Sequence, residues 1–314
     1  MSQPVCRGTN QHHRPDCQHS NDPRCGTSDT HAREPASRPV IGMIELHSPR
    51  QIRASVAALN AADQDVRPAR PVYPSPVHSE EPVGNRRFDA LFAEAAPLVS
   101  SQRHTRDGPP RTNGRWPASI VCRPPSAMAA LLESWMWMAL NFAGPHHYRT
   151  GLAGSAHLTV RALEPRCEGR APTDPVATSW RHTLSDVAKT TPPLRFRFTG
   201  VTLTPGTVMA QMEPADETPW VFMRKLAQSL GSLAWYEEQW PARDIWYVNL
   251  VHFAAPIADS EGLLAWVAEH RDIPPVQLEI PSVELVAFEL PPHGVPAIVP
   301  RTWAREPLAG EVPS

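Results

Sequence analysis

Two segments of the 314-residue sequence carry polar residues that could do chemistry, and both place them at alternate positions. In the first segment His157, Thr159 and Arg161 alternate with apolar residues, and in the second Tyr247 and Asn249 do the same. Side chains of a β-strand point alternately to its two faces. Each segment therefore predicts a strand with one apolar face in a core and one polar face open to a ligand.

The residue types on these polar faces can exchange protons or form hydrogen bonds with a ligand. His157 can act as a general acid or base, because the pKa of an imidazole lies near working pH. The Thr159 hydroxyl can donate and accept hydrogen bonds, and the Arg161 guanidinium can bind an anion through two parallel hydrogen bonds. A tyrosine side chain ordinarily has a pKa of about 10 and is a poor base at neutral pH, but it can donate a hydrogen bond, as Tyr247 could. Asn249 can donate and accept hydrogen bonds, but it cannot shuttle protons.

The rest of the pattern from residue 116 onward predicts helices that alternate with strands. We predict strands over 118–122, 156–163, 194–202, 207–212, 245–253, 277–280 and 283–290, and helices over 127–141, 174–189, 220–235 and 261–270. Gly200 predicts a bulge or bend in the third of these strands. Several strands are close enough along the chain to form hairpins, which favours an α+β fold over a purely parallel one.

The segment from Trp116 to Trp303 resembles the 2H phosphoesterase superfamily, which includes 2′–5′ RNA ligase-like proteins and cyclic phosphodiesterases. HLTVRAL, which begins at His157, stands at the first His-x-Thr/Ser motif of that family, and WYVNLVHFAAP stands at the second. Between them, PPLRFRFTGVTLTPGTVMAQMEP resembles the family's strand, glycine and hairpin. The resemblance implies two pseudo-symmetric lobes of antiparallel sheet with outer helices, around a central cleft to which each lobe contributes one motif strand.

The resemblance also implies roles for the polar residues. His157 and Thr159 match the first catalytic motif, Arg161 shares their face as a phosphate ligand, and Tyr247 and Asn249 complete the pocket. The second motif departs from the family pattern, because Tyr247 stands where histidine is expected and Asn249 where threonine or serine is expected. Loss of one acid–base partner typically costs a factor of about 10² to 10⁴ in rate.

These matches predict a protein that acts on or binds a nucleotide, a 2′,3′-cyclic phosphate or an RNA-end phosphate, with weakened catalysis. The alternative is a catalytically inactive ligand-binding module or an interaction scaffold of the same fold. The two-histidine chemistry requires no metal and no cofactor.

Other histidines are weighed as substitutes for the missing one. His252 lies on the opposite strand face from Tyr247 and should miss the cleft unless a bulge turns it. His146 and His147 lie on the loop before the first motif strand and could reach the mouth of the cleft. The alternative to a catalytic role is that His157 itself is a structural histidine whose hydrogen bonds are satisfied within the protein.

Two further groups of residues have alternative interpretations. Arg195 and Arg197 alternate with phenylalanines, so they either line the cleft as phosphate contacts or form an ordinary exposed face. The tryptophans at 235, 240 and 246 either pack in the core or rim, or serve as platforms for base stacking. Core or rim packing is the commoner outcome.

Composition divides the chain. The ten tryptophans all lie at Trp116 or later, so 1–115, rich in proline, arginine and histidine, are predicted to be disordered apart from a short helix at 87–98. We assign 116–305 to the 2H phosphoesterase-like domain and 306–314 to a tail. Three cysteines near the N-terminus lack the paired spacing of a structural zinc site, so no metal is predicted there.

The net charge and the distribution of apolar residues argue against several classes of protein. Thirty lysines and arginines face 32 aspartates and glutamates, a net charge of −2, which does not support binding of long nucleic acid. No apolar stretch is long enough for a membrane span, and the N-terminus lacks the apolar centre of a secretory signal. We expect a cytoplasmic protein whose partner is a small nucleotide or a phosphate-ended ligand.

Overall fold

The computed structural model describes residues 83–291 and 296–309. Its helices are α1 (Val83–Ser100), α2 (Ser126–Ala143), α3 (Pro175–Ala188), α4 (Thr218–Leu230) and α5 (Ser260–Glu269). Its strands are β1 (Ala118–Cys122), β2 (Tyr148–Arg149), β3 (Leu158–Glu164), β4 (Leu194–Thr204), β5 (Thr207–Pro214), β6 (Trp246–His252), β7 (Val276–Ile280), β8 (Ser282–Glu289) and β9 (Val299–Pro307). Two short 3₁₀ turns, Gly231–Ala234 and Glu237–Gln239, precede β6. The predictions made for residues 1–82 lie outside the described part of the chain.

The nine strands form one sheet in the order β7-β4-β5-β6-β3-β1-β8-β9, with β2 beside β6. All of these strand pairs are antiparallel. The unit β1–α2–β3–α3 is repeated as β5–α4–β6–α5, and the two repeats meet where β3 pairs with β6. The predicted α+β fold of two pseudo-symmetric antiparallel lobes is therefore confirmed, with the motif strands at its centre.

The helices of both repeats pack against the sheet and close a large apolar core. Helix α2 contacts β6, α3 contacts β8 and β9, and α4 and α5 contact β4. The apolar residues of the motif strands, Leu158, Val160, Val248 and Leu250, are fully buried in this core. Their burial fixes the parity of β3 and β6, since a slip of one residue would turn the apolar side chains out of the core. Within the described ranges no helix has the length and apolarity to cross a bilayer.

Helix α4 and strand β9 differ from the sequence prediction for identifiable reasons. Helix α4 ends at Leu230, not at 235, because Gly231 adopts a φ of +53° and the chain continues as 3₁₀ turns. Strand β9 was not predicted. It pairs with β8 alone and most of its residues are exposed or half-buried, so it lacks the apolar alternation that marks a buried strand.

Residues 83–115, which the sequence assigned to the N-terminal region, lie against the domain. Helix α1 is longer than the predicted 87–98 and contacts β4, where the Thr202 hydroxyl donates to the Phe88 carbonyl (2.9 Å). The following segment is held by backbone bonds from Thr105 to Pro205 and from Asp107 to Phe253 (both 2.7 Å). Without a tryptophan in this segment, composition alone gave no sign of the packing.

The bend predicted at Gly200 is present. The register of β4 with β5 shifts between Phe198 and Gly200, and Gly200 has a φ of +146°. A Cβ atom there would lie 2.6 Å from the carbonyl oxygens of His270 and Arg271. Gly200 is therefore required both for its backbone conformation and for the close approach of α5 to β4.

We expect Gly200→Ala to lower the free energy of unfolding by at least about 2 kcal/mol, because the strained φ and the backbone clash add. Urea denaturation followed by tryptophan fluorescence would measure the loss. Gly154→Ala is the matched control, since nothing lies within 4 Å of a Cβ at that exposed position. Equal stability of the two variants would contradict the expectation.

Candidate functional site

The polar residues of the two motif strands lie on one surface. The backbone pair that joins β3 to β6 connects residues 158 and 248, so the antiparallel register places His157 opposite Asn249 and Thr159 opposite Tyr247. Opposed side chains in such a pair have Cβ atoms about 4.5–5.5 Å apart. All four residues are partly exposed, on the side of the sheet away from the main core. We call these four residues the motif face.

His157 is held as a neutral imidazole with one nitrogen available. Its Nδ1 donates to the Ser155 carbonyl (2.7 Å), which leaves the lone pair on Nε2. The ring also packs on Phe288, with the centroids 5.0 Å apart. Burial lowers the pKa of His157 to about 4, and the positive charge of Arg123 acts in the same direction. At neutral pH this residue can therefore accept a proton, as a general base does.

The opposite strand provides hydrogen-bonding groups but no imidazole on the motif face. The Asn249 Oδ1 atom is buried and has no hydrogen-bond partner within the described residues. An unsatisfied buried polar atom costs about 1–3 kcal/mol, which a ligand hydroxyl could recover. Beside it, the Tyr247 ring packs near the Arg243 guanidinium, 5.8 Å from the ring centroid.

The sequence placed Arg161 on the strand face of His157, but a register shift at Val160 interrupts the alternation of β3 between the two residues. The guanidinium of Arg161 already has partners. Its Nη2 donates to the Ala234 carbonyl (2.6 Å), and carboxylate oxygens of Glu237 and Glu238 lie 3.9 Å from its nitrogens. These groups compete with a phosphate for the guanidinium. The contacts show Arg161 holding the 3₁₀ segment against β3, and a direct bond to phosphate stays a prediction.

A β-bulge in β6 changes the orientation of His252. The register of β5 with β6 shifts at Leu250, which becomes an extra residue, so the alternation of β6 reverses after it. His252 consequently packs edge-on against Trp116, with the ring centroids 4.5 Å apart. Trp116 belongs to a small cluster with Val121, the residue that pairs with Thr159 in β1. The bulge thus turns His252 toward the side of the sheet that carries the motif face.

His252 also has a buried acidic partner that the sequence did not indicate. Its Nδ1 lies 3.0 Å from Asp107 Oδ2 and must be the donor, because a carboxylate only accepts. The Nε2 atom is buried and has no hydrogen-bond partner in the described part of the chain. Burial lowers the pKa of His252, although Asp107 opposes the shift. The pairing of His252 with Asp107 depends on the bulge in β6 and on the position of Asp107 beside that strand.

His147 and His146, the other two candidates for the missing histidine, have different surroundings. His147 is buried, donates from Nε2 to the Ala143 carbonyl (2.8 Å) and accepts from the Ala254 amide at Nδ1 (3.1 Å). Both ring nitrogens are satisfied, so His147 is a structural residue and not a group at the cleft mouth. His146 is exposed.

The arginines of β4 form an ion-paired face. Arg195 lies 3.7 Å from Asp216 and 3.9 Å from Glu279, and Arg197 lies 3.7 Å from Glu213. These ion-pair partners all lie outside the motif face, which favours the second of the two interpretations. Among residues 83–291 and 296–309, no group of three or more His, Cys, Asp or Glu side chains is placed to hold a metal ion.

Comparison with known proteins gives matches among solved structures alone: no protein-family model and no curated protein matches the chain. TT0787 of Thermus thermophilus is 20% identical, with 62% of this chain and 98% of that chain covered at a TM-score of 0.45. E. coli LigT complexed with 3′-AMP is 13% identical, with 62% and 98% covered at a TM-score of 0.42. A structure described as a phosphoesterase is 12% identical, with 61% and 98% covered at a TM-score of 0.40.

The repeated βαβα units and their adjacent motif strands have the arrangement that the sequence resemblance implied. In this arrangement His157 and Thr159, the residues that the resemblance assigned to the first motif, lie on one strand face. The second motif strand is in place, but it presents Tyr247 and Asn249.

Proposed function

We propose that the motif face binds the phosphate of a nucleotide, a 2′,3′-cyclic phosphate or an RNA end, and hydrolyses it weakly with one histidine. The observation that carries this proposal is the neutral His157, whose free Nε2 lies on the same face as the unpartnered Asn249 Oδ1. The near-neutral net charge favours a small nucleotide over long nucleic acid. We keep the expectation of a cytoplasmic protein as part of this proposal.

The hydrolytic step follows from the positions of four side chains. His157 Nε2 takes a proton from water as the water oxygen forms a bond to phosphorus, and the bond from phosphorus to one ribose oxygen breaks. The Thr159 hydroxyl and the Asn249 amide donate to the non-bridging oxygens. The Tyr247 phenol donates a hydrogen bond to the leaving oxygen, which finally takes its proton from solvent. Because the motif face itself carries no second imidazole to supply that proton, we expect a rate about 10² to 10⁴ below that of a two-histidine site.

A binding module that has lost hydrolysis is the second candidate function. The replacement of both second-motif residues favours it, since Tyr247 and Asn249 keep hydrogen-bonding capacity without acid–base chemistry near neutral pH. An interaction scaffold with a vestigial cleft is the third.

A panel of 2′,3′-cyclic nucleotides separates the three. Turnover would be followed by chromatography of the 2′- or 3′-monophosphate product, and binding by calorimetry, with the unaltered protein and with His157→Ala. We expect slow hydrolysis that disappears in the variant. Binding without turnover would establish the binding module, and neither binding nor turnover would overturn the proposal in favour of a scaffold.

A further inference from the structure

A groove of about 580 Å³ adjoins the motif face and shares Tyr247 with it. Tyr247 stands opposite Thr159 in the register of β3 and β6. Arg161, the residue of β3 that also lines the groove, comes two positions after Thr159 and follows the register shift at Val160. A ligand with its phosphate at Thr159 can therefore extend directly into the groove.

The groove has an exposed aromatic ring in its wall. Trp240 is 53% exposed and is one of two large hydrophobic side chains so open to solvent within the described residues. A T-shaped contact with Tyr236, at 4.8 Å between centroids, holds the ring in place. Trp235 is half-buried and Trp246 is buried, so of the three tryptophans considered from the sequence only Trp240 is available for stacking.

The charges of the groove are already balanced. Its arginines and carboxylates form pairs: Arg87 with Asp244 (2.9 Å), Arg243 with Glu237 (2.9 Å), and Arg161 with Glu237 and Glu238 (3.9 Å each). Such a surface offers little attraction for a second phosphate. A flat, uncharged group that stacks on an indole fits it better, and a nucleobase is such a group.

We propose that this groove is a nucleobase subsite, in which the base stacks on Trp240 while the phosphate lies on the motif face. The subsite rests on the proposed function, because the phosphate fixes where the base can lie. The Glu238 carboxylate, 67% exposed and 3.9 Å from the nearest Arg161 nitrogen, is too far for a hydrogen bond to it and can accept one from a base. An exocyclic amino group would make that bond, so cytosine is preferred over uracil.

The test compares Trp240→Ala and Trp240→Phe with the unaltered protein. Loss of base–aromatic stacking is expected to raise the Kd for cyclic 2′,3′-CMP about five- to 100-fold in Trp240→Ala, and the phenylalanine variant should recover most of it. Inorganic phosphate, which has no base, should bind all three proteins equally. Val221→Ala, at the other exposed hydrophobic residue and outside the groove, is the control and should leave both ligands unaffected.

The outcomes distinguish the subsite from the function on which it rests. An unchanged Kd for cyclic 2′,3′-CMP in Trp240→Ala, with phosphate still bound, would overturn the subsite and leave the proposed function standing. Failure of the unaltered protein to bind either ligand would overturn both. Equal affinity for cyclic 2′,3′-CMP and cyclic 2′,3′-UMP would remove the role given to Glu238.

Discussion

Replacing His157 by glutamine is expected to lower kcat/KM for 2′,3′-cyclic nucleotides by a factor of about 10² to 10⁴. Glutamine can keep the hydrogen bond to the Ser155 carbonyl, but it cannot take a proton from water. The Kd for a non-hydrolysed nucleotide should change little, because the other residues of the motif face remain. Steady-state kinetics and calorimetry on the same preparations would measure both effects.

The pH dependence tests the role of His157 as a base. Burial lowers the pKa of His157 to about 4, and only the neutral form can accept a proton. Activity should therefore rise with pH through about 4 and stay level toward neutrality, whereas a general acid with this pKa would lose activity over the same interval. His182→Gln, at an exposed histidine of α3, is the matched control and should leave rate and profile unchanged. A profile that falls above pH 4 would assign the opposite role to the imidazole.

Local patterns in the sequence predicted the scaffold of the site well. The alternation around His157 and Asn249 fixed which side chains share a face, because burial of the intervening apolar residues leaves one possible register. The bulge at Gly200 followed from the residue type. These features depend on residues that are close along the chain, so they can be predicted from a single sequence.

Features that depend on distant contacts could not be predicted. The bulge at Leu250 has no marker such as glycine, yet it decides the direction of His252. The partner of that histidine, Asp107, is 145 residues away in a segment whose composition predicted disorder. The same limit applies to Arg161. The sequence predicts a guanidinium that is free to bind phosphate, whereas the structure places the Glu237 and Glu238 carboxylates beside it.

The departure from the second motif can be reversed, and Tyr247→His combined with Asn249→Thr is expected to raise kcat for cyclic-phosphate hydrolysis by about 10² or more. The pairing of β3 with β6 relates the two motifs symmetrically: residue 247 faces Thr159, and residue 249 faces His157. A histidine at 247 would stand diagonally across from His157 and could protonate the leaving oxygen. The Glu237 carboxylate, 2.9 Å from Arg243, partly offsets the guanidinium charge near that position.

Two further variants show how to interpret an increase in hydrolysis by the double variant, or the lack of one. Tyr247→Phe removes the phenol without adding an imidazole, so it should not increase the rate. His252→Gln tests whether the histidine turned by the bulge already acts as the second imidazole through its unpartnered Nε2. If His252→Gln removes wild-type hydrolysis in a folded protein, the chain has moved its second histidine five positions along β6, and restoring the motif should add little. If His252→Gln leaves hydrolysis intact and the double variant hydrolyses faster than the unaltered protein, the replacement of the second motif by Tyr247 and Asn249 is what weakens catalysis.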